Sequence, residues 1–424
     1  MKKKNKAIYL LFLMPFVYFA TACFVVWLVK TSGIYPSGSD TMYHVYRGDY
    51  VYNAIKSGNW YPLYDPAWYN GVEILRYWSP FPAYVMAFCQ YLAGGSQFGA
   101  YLFYIGGVCF LGACVWPFIG RGFNRPYLGA FIGLLWFFMP NNLCAIFIEG
   151  NLARSLSMIF LPVFIYSVYK YLYNHKLRYI PFMVFTFLLM ELCHLGYAGM
   201  VAIAVIIYGI VYIIQKGRKK AVLDVVISMI FGFMLLGIWL VASLRGGITS
   251  LDNSENMANF FQNLWITINP FERLTRGFEY FYFGFAALVV IVFGILFGYK
   301  KSRTGFVTGF IILLMTTKSA YAVLKHLPGS QYLWMLRFIS IALCMILMSF
   351  LMWDRLKKTL VLMLCVLLVV DTIPSLSLIV GEHNDISVQE RMAARQDRTL
   401  ISSAQAVTKQ RREHTGGNRF MAGF

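Results

Sequence analysis

Apolar runs long enough to cross a bilayer recur along nearly the whole chain, separated by short breaks rich in Lys, Arg, Gly and Pro. A helix needs about 20 apolar residues to span the hydrocarbon layer, and a barrel strand only about half that. The runs are therefore too long for strands, and a lipid-embedded segment must close its backbone hydrogen bonds within itself. The pattern predicts an all-α, polytopic transmembrane protein. About eleven spans are expected, over 7–30, 98–120, 126–143, 152–173, 178–194, 196–215, 221–243, 279–299, 304–324, 331–353 and 357–379. The stretch from Phe81 to Ala93 is apolar but short, opening with Pro80 and Pro82 and closing at Gly94 and Gly95. It is expected as a juxtamembrane helix that does not cross.

The charges orient this arrangement. With 81–93 left out of the membrane, six short connections (2–6, 121–125, 170–178, 216–220, 300–303 and 355–358) fall on one side and hold 19 of the 37 Lys and Arg. Short cytoplasmic loops carry such an excess, so the N-terminus is expected inside and the C-terminus outside a bacterial cell membrane. The outer face then receives the long first loop (31–97), the connection around Asn141–Asn151 and a second long loop (244–278). Residues 1–380 form the transmembrane domain. The polar, basic segment 381–424 is too short for a core of its own and reads as a disordered tail or the stub of a further domain.

Composition narrows the class. Hydrophobic residues make up 59% and charged residues 13% of the 424, too little charge to cover a soluble chain of this size. The net charge of +19 would suit nucleic acid, but the basic residues sit between the apolar runs, as expected for loops meeting phospholipid. No nucleic-acid partner is expected. The eight Cys lie mostly within apolar runs without CxxC spacing and read as packing residues. The first run, 7–29, lacks a small-residue cleavage site and reads as a retained helix rather than a signal peptide.

Candidate chemistry gathers on the outer side. Asp40, His44 and Arg47 share one face of a helix that starts near Asp40, and Tyr and Trp lie between them, as suits the headgroup level. An interfacial amphipathic helix capped by Asp40 accounts for the same residues. Glu149, in Glu-Gly-Asn-Leu-Ala-Arg154, falls on the same side, where it is either a solvated loop charge or a second carboxylate working with Asp40. Two such carboxylates serve as general base and as ligand of a substrate or a divalent metal such as Mg or Mn. Glu191, His194, Lys318 and Arg337 are polar groups in apolar surroundings, which mark cavities or pairs. Arg337 either snorkels to the surface or grips a phosphate, and His194 is either a core histidine or a ligand.

The run Gly-Ser-Asp40-Thr-Met-Tyr-His44-Val-Tyr-Arg47, followed by Ser-Gly-Asn-Trp-Tyr-Pro (57–62), Tyr-Asn-Gly (69–71) and Tyr-Trp-Ser-Pro-Phe-Pro (77–82), resembles a bacterial membrane family. That family carries the label 6-pyruvoyl-tetrahydropterin synthase-related and is similar to the GT-C glycosyltransferases. The resemblance is strongest over 38–85 and continues over 147–163 and 327–338. It implies an outer first loop with juxtamembrane helices, an acidic residue near its start (Asp40) and a second after the third span (Glu149). The pterin label does not carry its chemistry over. A zinc-dependent synthase needs closely placed His ligands, whereas His44, His175, His194, His326, His383 and His414 include no His-x-His and are scattered over both faces.

These readings lead to a membrane glycosyltransferase that moves a sugar from a polyprenyl-phosphate carrier to an envelope glycan or protein. Asp40 would act as base or metal ligand, and Glu149 and His44 would orient the acceptor. Arg337 would stabilise the departing phosphate, with Arg47, Arg154, His194 and Lys318 as further substrate-binding residues. A lipid or polysaccharide transporter, or a non-catalytic partner in envelope synthesis, is the alternative.

Overall fold

The computed structural model describes residues 2–33, 35–36, 38, 40–67, 71–245, 268–269, 282–327, 330, 333–353 and 356–379, with the backbone alone for 2–10 and Lys300. Most of the second loop and the whole of 380–424 lie outside these residues, so the disordered-tail expectation does too. The ordered elements among the described residues are helices, with one isolated bridge between Asp65 and Val72 in the 57–80 loop. In order the helices are α1 (Lys2–Ser32), α2 (Thr41–Lys56), α3 (Phe81–Leu92), α4 (Gln97–Gly122), α5 (Pro126–Leu135), α6 (Pro140–Phe147), α7 (Leu152–Asn174) and α8 (Tyr179–Lys216). They continue as α9 (Lys219–Leu235), α10 (Gly237–Arg245), α11 (Phe285–Phe297), α12 (Lys300–Met315), α13 (Lys318–Leu324), α14 (Phe338–Leu351) and α15 (Lys358–Thr372).

Among the described residues five helices are long and apolar enough to cross a membrane, and up to seven if each of two bent pairs is one span. The expectation of about eleven spans is not confirmed among the described residues, where several apolar runs are broken by features that hydropathy does not register. Pro140 forces Met139 into an extended conformation and bends the 126–147 run by 44°. The 219–245 run bends by 66° between α9 and α10. The 304–324 run breaks at Thr316 and Thr317, whose hydroxyls turn back onto the carbonyls of Leu313 and Leu314. Over 279–299 the helix covers 13 residues, starting at Phe285, and over 331–353 α14 covers 14, preceded by the 3-10 turn Met335–Arg337. As expected of the 81–93 stretch, α3 is a separate 12-residue helix, too short to cross.

The runs at 178–194 and 196–215 form one 38-residue helical element, but it is not straight. His194 interrupts it with φ −156° and ψ 94°. Tyr179 at its start packs on Tyr166, while Tyr212 near its end packs on Tyr173 and donates to the Leu172 carbonyl at 2.6 Å. A straight helix would hold Tyr179 and Tyr212 about 50 Å apart, yet Tyr166 and Tyr173 are only about 10 Å apart on α7. The element therefore doubles back at His194. Ser79 ties the turn, donating to the Glu191 carbonyl at 2.8 Å and accepting the Leu195 N–H at 3.3 Å.

The two arms of α8 pack along α7, with α14 beside them and buried along its entire length. The α8 turn, the start of α7 and the start of α14 thus meet at the end of the bundle that carries the 33–80 segment, referred to below as the loop end.

Candidate functional site

At the loop end two distant chain segments cross on bare backbone. The Asp40 N–H donates to the Glu149 carbonyl at 2.9 Å. Gly38 and Gly150 make this approach possible: a Cβ on Gly38 would lie 2.7 Å from the Gly150 Cα, and one on Gly150 would lie 2.5 Å from the Thr41 nitrogen. Gly150 also has φ +63°, a left-handed turn that glycine enters without steric cost. In that turn the Glu149 and Asn151 N–H groups close off the carbonyls of Cys144 and Ala145 at the end of α6. Asn151 then starts α7, its side-chain oxygen accepting the Arg154 N–H at 2.9 Å. The Glu-Gly-Asn sequence thus ends one helix and begins the next within three residues.

Glu149 lies between two arginines. Its carboxylate is 3.0 Å from the buried Arg154 and 3.5 Å from Arg337. Both contacts are ion pairs, and the Nε and NH1 groups of Arg154 are left without an acceptor. Arg337 also lies over the Trp334 ring, and Asp40 acts on it electrostatically. Asp40 occupies the position before α2 but makes no side-chain cap. The capping role open to Asp40 in the sequence is therefore not the one it plays.

His194 joins the cluster through the α8 turn. Its Nδ1 accepts the Tyr197 N–H at 3.1 Å, so the neutral ring carries its proton on Nε2. That nitrogen lies 3.4 Å from the Asn151 amide nitrogen and 3.3 Å from an Arg337 nitrogen. Three N–H donors therefore converge there with no acceptor between them.

His44 and Arg47 stand on the buried side of α2. Arg47 is 2% exposed, sandwiched by the Tyr43 and Trp78 rings, and directs one nitrogen at the Trp78 and Ser79 carbonyls at 3.3 and 3.4 Å. Its Nε has no partner. Burial draws the Arg47 guanidinium below its ordinary range. Burial, then the charges of Arg47 and Arg337, push His44 down to about 3, so it is a neutral ring at ordinary pH.

Helix direction adds to the charge. Thr41, Leu152 and Phe338, the first residues of α2, α7 and α14, follow Asp40, Asn151 and Arg337, so three helix N-termini meet around Glu149. Each contributes a partial positive charge, a setting that favours anions. The donors in this cluster outnumber its two carboxylates.

Seven of the eight expected site residues come together in this way. Lys318 does not: the break at Thr316 and Thr317 leaves it exposed at the first position of α13, and no contact joins it to the cluster. The metal expectation also lacks support in the donor set. Among the described residues no three His, Cys, Asp or Glu groups could hold an ion together, and Glu149 is already engaged by two guanidinium groups. Asn151 and Ser79 were missed as site residues. The Asn before Leu-Ala-Arg is a helix-start signal that could have pointed to Asn151, whereas nothing local marks Ser79.

Apolar helices of spanning length around a buried, arginine-rich polar cluster define a polytopic membrane protein with a site at one end of its bundle. The chain belongs to the family described as 6-pyruvoyl-tetrahydropterin synthase related domain; membrane protein, whose model matches residues 75–379. No curated protein matches the chain, and no solved structure does.

Proposed function

We propose that the chain is a membrane glycosyltransferase that takes a sugar from a polyprenyl-phosphate carrier and transfers it to an envelope glycan or protein, with the loop end on the outer face. The observation that carries this reading is the junction of Asp40 and Glu149, 109 positions apart in sequence, inside a cage of arginines with unfilled donors. One carboxylate there is held by two guanidinium groups, and the other is not used as a cap.

In this reading Asp40 takes the proton of an acceptor hydroxyl as its oxygen attacks the anomeric carbon of the sugar. The bond from that carbon to the phosphate oxygen breaks, its electron pair stays on the phosphate, and the anomeric centre inverts. Arg337 and Arg154 lie where they can neutralise the departing phosphate, aided by the three helix N-termini. Glu149 fixes both arginines, and neutral His44 offers the acceptor a hydrogen bond without adding charge. Arg47 holds the 78–79 segment against the α8 turn. Lys318 has no part in this scheme.

The test is sugar transfer by purified protein offered radiolabelled polyprenyl-phosphate sugars and envelope acceptors, with an Asp40→Asn control. Transfer by the wild type alone supports the reading. Equal transfer by an Asp40→Asn protein of normal abundance removes the role given to Asp40. Uptake of lipid into vesicles without covalent transfer replaces the reading with a transporter.

A further inference from the structure

Beside the charged cluster, and separate from it, runs an apolar groove of about 600 Å³. One wall is the rising arm of α8, through Leu188 and Leu192. The other is the bend between α9 and α10, through Leu235, Ile238 and Trp239, and Pro80 of the first loop closes the end. The volume falls within the range of roughly 300–1,000 Å³ typical of ligand sites. The groove opens where the apolar Ile238 is 95% exposed.

Three features connect this groove to the cluster. Leu192 lines it while His194, two residues on, belongs to the cluster, so their Cα atoms are within about 7 Å. Pro80 lines it while Ser79, its neighbour, ties the α8 turn and accepts from Arg47. The Glu73–Arg76 ion pair lies in its wall, the one charged element on an otherwise apolar lining. The bent helix is also fixed in place: Trp239 donates to the Leu75 carbonyl at 2.8 Å, Arg76 to the Ala242 carbonyl at 2.9 Å, and Ser243 to the Arg76 carbonyl.

We infer that this groove holds the hydrocarbon chain of the site's own lipid-phosphate substrate, entering sideways from the bilayer past α10. The inference rests on the transferase reading for the identity of the lipid. A cationic cluster and an apolar channel within two residues of each other match one amphiphile, with its phosphate on Arg337 and Arg154 and its chain between α8 and α10. The Glu73–Arg76 pair marks the headgroup level, where charges keep contact with water.

The test uses full-length protein in phospholipid nanodiscs and a sugar-free polyprenyl phosphate bearing a photoreactive group midway along its chain. The expected result is labelling of the peptides that carry Leu188–Leu192 and Leu235–Ala242, lost when unlabelled polyprenyl phosphate is in excess. Labelling elsewhere overturns the inference. So does groove labelling that ordinary phospholipid suppresses equally well, since an annular lipid is then the occupant. Leu192→Trp fills the groove, and Ile238→Trp, at an exposed position, guards against misfolding. Both are expected to weaken retention of the long-chain probe while a short-chain prenyl phosphate still binds. Unchanged long-chain binding in both also overturns the inference. Because the probe has no sugar, groove labelling without transfer activity leaves this inference standing and removes the transferase reading. Transfer activity with labelling elsewhere does the reverse.

Discussion

The two ends of the bundle use polar groups in opposite ways. At the end far from the first loop, hydroxyls, carbonyls and the Gln215 amide pair with one another. Tyr208 donates to Tyr173, Tyr173 meets the Lys301 carbonyl and Thr304, Thr304 donates to Gln215 at 2.6 Å, and Tyr212 donates to Leu172. Even the cations there close helix ends, Arg125 on the Trp353 carbonyl and Lys170 on that of Gly122. At the loop end the guanidinium donors of Arg154 and the Nε of Arg47 lack acceptors, and three N–H groups converge at the Nε2 edge of His194. A buried polar group with its partner holds structure, and one without costs about 1–3 kcal/mol. The far end spends its polar groups on cohesion, while the loop end keeps donors directed at one place at a cost in stability.

Substitutions can break that contrast. The largest effect is expected from Asp40→Asn, which keeps shape and removes the proposed base: transfer should fall by about 10²–10⁴-fold, the usual worth of a positioned base, with protein abundance unchanged. Arg337→Lys keeps the charge but loses the planar fork, and its transfer rate should drop by about 10²–10³-fold, read from initial rates. Gly150→Ala adds a Cβ against Thr41 at a left-handed position. It should cost about 1–3 kcal/mol in detergent unfolding and separate Asp40 from Glu149.

Two smaller changes sharpen the contrast. In the folded protein His44 titrates at about 3 instead of the ordinary 6.5. Between those values the unfolded chain binds a proton that the folded chain does not, so stability falls as pH drops below about 6.5. His44→Gln should remove that part of the acid slope, seen by comparing unfolding midpoints at pH 7 and pH 5. At the far end, Tyr212→Phe should cost about 0.5–1.5 kcal/mol through its lost bond to Leu172, with transfer rates unaltered.

The sequence carried part of this. Hydropathy revealed the helical membrane class, and the proline-bounded 81–93 stretch was legible as a separate short helix. Charge distribution put Asp40 and Glu149 on one side, and these two residues do meet. The means of their meeting was not legible: a backbone crossing at Gly38 and Gly150 depends on two segments far apart in sequence. Lys318 and Arg337 looked alike as cations in apolar runs, and only the helix break at Thr316 and Thr317 separates the exposed one from the buried one. The count of about eleven spans is unconfirmed for the same reason. Averaged hydropathy does not register Pro140, the threonine pair or the bend after Leu235, each of which alters the path of the backbone without altering how apolar the run is.

The reversal at His194 also bears on how the chain enters its membrane. The arm from Tyr179 to Cys193 is about 22 Å long, short of the roughly 30 Å of a bilayer's hydrocarbon core. Left alone, its end would expose backbone groups to lipid. It becomes stable only when the returning arm lies beside it and Ser79, from a loop synthesised more than a hundred residues earlier, closes the turn. The hairpin is therefore expected to enter the membrane as a pair, its turn closing on a segment made earlier. Assembly of the site is thus a late event in biogenesis, completed after its oldest and newest parts have both been delivered.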